Sequence, residues 1–228
     1  MNSARRYLIA VVGLLLTAHA ASAQDMSRYR TYALASSLES IVASSGVRGD
    51  AAKTIHSRPA KIQELEWRAP YVSSSAVLVD PVRAIAFSFV DDELFQIVVS
   101  YDRERTEGLT NSDIIELLTS SYGAPLSKSA KASGVRPAAA PVDTVVVAQW
   151  DTPGEMLTLV RGAYSPDYRL ILVSKALGAR AHTAAREAVR LDAAEAPRRE
   201  ADERKRVQAD EAATREKTRT TNKDAFRP

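Results

Sequence analysis

Few residues in this chain could carry chemistry. It has three histidines, His19, His56 and His182, and no cysteine. His56 lies in a polar stretch, Lys53-Thr54-Ile55-His56-Ser57-Arg58-Pro59, and His182 near the start of a helical segment. An imidazole can act as a general base, but only with a partner in hydrogen-bond reach, and sequence alone does not supply one. No G-x-S-x-G elbow is present, so a serine nucleophile has no recognisable seat. Without cysteine there is no thiolate nucleophile and no thiolate metal site. Asp91-Asp92-Glu93 could offer oxygen ligands to a hard cation, yet no D-x-D-x-D-G loop surrounds it, and acids are common in hairpin turns. The nine glycines are scattered singly, so no phosphate-cradling loop exists. The expectation is no catalytic residue, no cofactor and no metal.

Three aromatic residues stand out as contact points for a partner: Trp67, Trp150 and Phe226. Each has a plainer alternative. The tryptophans could be buried anchors at strand ends, because indole burial is a large apolar term. Phe226 could be a chance residue in a frayed terminus.

The first 23 residues bear on where any such chemistry would happen. Arg5 and Arg6 precede an apolar run from Tyr7 to Leu16, and Ala21-Ser22-Ala23 precedes Gln24. A cationic start, a short apolar region and an A-x-A site make a secretory signal peptide. The run is shorter than the about 20 residues needed to span a bilayer. Export to the periplasm or beyond is expected, with a mature start at Gln24 and no stable membrane insertion after cleavage. A retained anchor is the alternative. No cysteine follows the signal, so lipid attachment there is not expected.

Charge is divided along the chain. Residues 24–174 hold 15 basic and 18 acidic side chains, and residues 175–228 hold 14 basic and 10 acidic. The signs interleave in the tail, which does not read as a polybasic arm for nucleic acid. Nucleic acid is therefore not an expected partner.

The elements that would position these residues follow from periodicity. Tyr29–Ser45 predicts a helix, with Leu34, Leu38, Ile41 and Val42 at helical spacing and Gly46 as its stop. Gly46–Lys61 is polar and irregular. Ile62–Trp67, Ala84–Val90 and Leu94–Tyr101 predict strands, the last two joined by the acidic turn as a hairpin. Asn111-Ser112-Asp113 supplies cap chemistry for a second helix, with Glu116 as capping-box partner and Tyr122-Gly123-Ala124-Pro125 as its end. Leu126–Pro141 reads as a loop. Thr144–Trp150, Glu155–Arg161 and Tyr168–Ser174 predict three more strands.

The order helix, three strands, helix, three strands suggests an internal duplication. Glu66-Trp67-Arg68-Ala69-Pro70 and Gln149-Trp150-Asp151-Thr152-Pro153 share one pattern, and each ends the first strand after its helix. An extra segment, about Tyr71–Arg83, would separate the first two strands of the first copy. The expected fold is α+β: two tandem units of a helix with a three-stranded antiparallel sheet, at 24–107 and 108–176. A C-terminal helix at 177–196 and a charged tail at 197–228 follow. Leu177, Ala181, Ala184, Ala188 and Leu191 form the apolar seam of that helix, and Pro197 interrupts it. The tail carries i,i+4 pairs such as Glu200 with Arg204 and Glu211 with Arg215, enough for a partly formed, solvated helix fraying into disorder near Asn222.

Gly108-Leu109-Thr110, Ile114-Ile115, Leu118 and Tyr122-Gly123-Ala124-Pro125 together have a recognisable shape. The stretch Thr110–Ser174 resembles small periplasmic α/β modules, the SmpA/OmlA-type outer-membrane assembly lipoproteins and the tandem-repeat β-lactamase inhibitor proteins. Tyr32–Tyr101 matches less well: Ala35 and Val47 stand where glycine and proline would help, and the lipobox cysteine is absent. The resemblance implies a helical layer on an antiparallel sheet, and a module that binds other proteins without catalysis. Two functions are thus expected: a non-enzymatic interaction module whose partner is an unidentified envelope protein, or an envelope hydrolase with unrecognised catalytic residues.

Overall fold

A computed structural model describes residues 25–70, 80–126 and 143–227. The expected signal peptide with its cleavage site, residues 71–79, and nearly all of the loop at 126–141 lie outside the described residues. The fold is α+β. A minimal hairpin of β1 (Arg28–Tyr29) and β2 (Tyr32–Ala33) precedes α1 (Leu38–Ser45) and a single 3-10 turn at Gly49–Ala51. Then come β3 (Lys53–His56), β4 (Ile62–Arg68), β5 (Val82–Val90) and β6 (Glu93–Tyr101). The short α2 (Arg103–Thr106) and α3 (Asn111–Tyr122) lead to β7 (Thr144–Asp151), β8 (Glu155–Gly162) and β9 (Tyr168–Ser174), and α4 (Lys175–Ala225) closes the chain.

Seven strands form one antiparallel sheet in the order β3-β4-β5-β6-β9-β8-β7. The two expected three-stranded sheets are therefore a single sheet, joined where β6 pairs β9. On one face, paired residues line up in two rows across six strands. One row runs Leu65, Phe87, Ile97, Leu172, Leu157, Trp150. Its neighbour runs Trp67, Ile85, Val99, Leu170, Leu159, Ala148. Ile41 of α1 and Ile114 and Ile115 of α3 pack on this face and complete one apolar core. Side chains alternate between faces along a strand, so Ser88, Gln96 and Val173 point the other way, toward α4.

The first helix is shorter than its periodicity suggested. Arg30 and Ala35 adopt left-handed backbone, φ 55° and 63°, which no helix tolerates. Ala35 donates its N–H to the Leu94 carbonyl, and Leu94 donates to Ser36, so the start of β6, before its pairing with β9 begins, captures this segment. Tyr29 and Tyr32 are buried from the hairpin, and of the predicted helical face only Leu38, Ile41 and Val42 lie in α1. Gly46, at φ 69°, ends α1 as expected. The region read as irregular holds β3, which pairs β4 through a bulge before His56. In α3 the cap is Thr110, one residue before the Asn111-Ser112-Asp113 stretch, and its box partner is Asp113, not Glu116: the Thr110 hydroxyl accepts from the Asp113 N–H and the Asp113 carboxylate accepts from the Thr110 N–H. The acidic turn is structural. Asp91 and Asp92 take positive φ, 48° and 72°, as a two-residue hairpin turn requires. Asp91 accepts from the Lys61 N–H and Asp92 from the Leu38 N–H.

Helix α4 runs unbroken through Pro197. The proline removes one backbone bond, and Arg199 donates to the nearby Asp192 carbonyl at 3.3 Å. Its first part is docked: Ala181, Ala184 and Ala188 are buried as the seam predicted. Gly178 permits the close approach, since a Cβ there would lie 2.9 Å from Val173 Cγ1. Arg180 bonds Glu93 at 2.8 Å, and Arg58 forms a fork with Glu195. From Arg198 to Arg227 every residue except Ala201 is exposed. Glu211 pairs with Arg215 at 3.0 Å, while Arg204 reaches the Glu200 carbonyl instead of its carboxylate. Such exposed pairs contribute about 0.2–0.5 kcal/mol each. Deleting the chain from Arg198 onward should leave the thermal midpoint of the body unchanged; a drop of several degrees by calorimetry would show that the arm braces it.

Candidate binding cleft

Three elements distant in sequence meet at one corner of the core face. The β1 hairpin brings Tyr29 and Arg30, the end of β6 brings Tyr101, and α3 brings Ile114, Leu117, Leu118 and Tyr122. Asp102 accepts from the Glu104 N–H at 2.9 Å and caps α2, turning the chain so that Arg105 and Leu109 reach the same hollow. The cleft holds about 590 Å³. Its floor is apolar, yet Leu117 is 63% exposed and Leu109 39%. Apolar side chains left open in a hollow mark a surface that another molecule can cover.

The polar groups gather at the rim. Arg30 grips Asp80 through two bonds of 2.7 Å, and its guanidinium sits 5.3 Å from the Tyr29 ring centroid. Hydrogen bonding to Arg30 holds the Asp80 carboxyl below the usual carboxylate range. Arg28 pairs with Asp25 at 2.9 Å. The Arg105 guanidinium has no carboxylate partner among the described residues. Burial pushes the Tyr101 phenol well up and that of Tyr122 up to about 12, with Tyr29 adding to both. The folded cleft thus holds neutral phenols, while in the unfolded chain they ionise near pH 10. This contribution to stability is intact below pH 10 and is lost as pH rises toward about 12. The melting temperature should fall across that window, and less steeply in Tyr122→Phe; equal slopes would detach Tyr122 from the effect.

A second cleft of about 570 Å³ lies on the other face, between α4 and the sheet. It brings His56 and His182 together with Glu64, Ser88, Gln96 and Lys175 around an apolar wall that includes Ile55 and Met156. Among the described residues neither imidazole has a hydrogen-bond or ion-pair partner, and no three His, Asp or Glu side chains are grouped to hold a metal. A general base normally needs a third group to orient it.

The aromatic residues singled out from sequence fall apart in space. Trp150 is buried at 2% exposure and donates Nε1–H to the Gly123 carbonyl at 2.8 Å. Trp67 is partly buried against the same core. Phe226, 74% exposed, caps the far end of α4. None of them lines the tyrosine cleft. Sequence reasoning missed Tyr29, Tyr101 and Tyr122, whose meeting depends on topology. Leu117, which sequence counts with Ile114, Ile115 and Leu118 as the apolar face of its helix, is instead exposed; its offset from the Ile114–Leu118 stripe was the one local signal.

Comparison of the chain with protein-family models, curated proteins and solved structures finds no match. No helix among the described residues is long and apolar enough to cross a membrane.

Proposed function

We propose that this protein is an exported, non-enzymatic binding module of the cell envelope, working in the periplasm or outside the cell. The observation that carries this reading is the open apolar cleft at the α3 corner, with Leu109 and Leu117 exposed beside an otherwise closed core. A chain bearing a signal-like start and a preformed apolar hollow suits capture of an envelope component. The resemblance of Thr110–Ser174 to periplasmic binding modules points the same way.

The body is read as a tandem duplication of a helix and a three-stranded meander. Register supports it. A two-fold axis through the Val98–Ile171 pair would exchange the two rows and superpose Trp67 on Trp150, Ile85 on Leu157 and Val99 on Leu172. Each helix start also meets the start of the third strand of its unit: Ser37 bridges Glu93, and Asn111 accepts from the Tyr168 hydroxyl at 2.7 Å.

A hydrolase is the second reading, favoured by one observation, the shared cleft of His56 and His182. Affinity capture from envelope extract tests the first reading. Wild-type mature protein should retain a specific component that Leu117→Glu loses. Retention by both proteins would place recognition elsewhere. Turnover of an envelope ester or peptide that vanishes in His56→Ala would establish the hydrolase instead.

A further inference from the structure

We propose that the tyrosine cleft binds a single-chain amphiphile with an anionic headgroup, such as a fatty-acid carboxylate. The proposal rests on the binding-module reading and names the ligand class of its site.

Shape comes first. The hollow is concave, and its volume of about 590 Å³ falls in the range of small-ligand sites, roughly 300–1,000 Å³. A flat apolar patch would suit a protein partner better. Polarity is one-sided. Ile114, Leu118 and Pro81 line the interior, and the guanidinium groups stand at the rim. This division matches a molecule with an alkyl tail and a charged end.

Charge decides the sign of that end. Three arginines and one aspartate line the cleft. Asp25 is held by Arg28 and Arg30 is held by Asp80, so Arg105 remains as the cation without a carboxylate. Its fork can take a carboxylate or phosphate oxygen pair. The Tyr122 hydroxyl has no hydrogen-bond partner among the described residues and stays a neutral donor across the physiological range. The guanidinium and the phenol, which line the same cleft, are each donors for an anion and offer little to a cation.

Calorimetric titration of the mature chain, 24–228, with octanoate, decanoate, laurate and myristate below their micelle concentrations tests the idea. Affinity should rise about four-fold for each added methylene until the cleft is full and then level off. Dodecanol should bind at least ten-fold more weakly than laurate. Arg105→Ala, at an exposed position, should abolish that preference while keeping the chain-length slope. Leu109→Glu should abolish binding of the whole series, with circular dichroism confirming that both variants fold. Absence of binding, affinity indifferent to chain length, or equal affinity for laurate and dodecanol would each overturn the proposal. If no amphiphile binds and Leu117→Glu still loses a captured envelope protein, the ligand class is wrong and the binding-module reading survives.

Discussion

Trp150→Ala should lower unfolding free energy by about 3–5 kcal/mol, the range for removing a large buried ring. The indole is 2% exposed and sits at the end of the row that begins at Leu65. Its Nε1–H also occupies the Gly123 carbonyl just beyond the last turn of α3. Truncation would leave both a cavity and an orphaned carbonyl. Trp67→Ala should cost less, because Trp67 is only partly buried and its indole N–H has no partner among the described residues. Urea unfolding of the two variants gives the comparison. Equal losses, or a loss below about 1 kcal/mol for Trp150→Ala, would mean that burial of this indole does not anchor α3.

The second large effect concerns the seam between β6 and β9. Ile97 and Leu172 face each other there, at 0% and 1% exposure, and join the two halves of one apolar row of the core. Leu172→Ala should cost about 2–5 kcal/mol. Because the apolar rows cross this seam without a break, the loss should appear as one earlier transition of the whole body. Two separate transitions by calorimetry would show that each half holds its own core and that the seam is a docked interface.

Six of the seven sheet strands, and the docked seam of α4, were legible because alternation and a three-to-four-residue repeat are local. The exception, β3, has an exposed pattern and one bulge, so its burial gives no alternating signal. The first helix was overextended because Tyr29 and Tyr32 bury side chains from a hairpin whose left-handed Arg30 has no glycine to mark it. Pro197 looks like an interruption in sequence, since it removes a backbone bond, whereas helix on both sides carries it. The cleft was illegible for a different reason. Its tyrosines come from positions 29, 101 and 122, and they meet only because the β1 hairpin and α3 both come to the end of β6.

The unsupported stretch of α4 also governs how the molecule moves. About 30 residues past the last tie to the body amount to a rod of roughly 45 Å at 1.5 Å per residue. A 24.8 kDa chain carrying such a rod has more friction than a sphere of equal mass. It should elute early from a sizing column and diffuse more slowly through a crowded compartment. Phe226 rides at the tip of that rod, so tumbling of the whole molecule carries this exposed ring well outside the radius of the body.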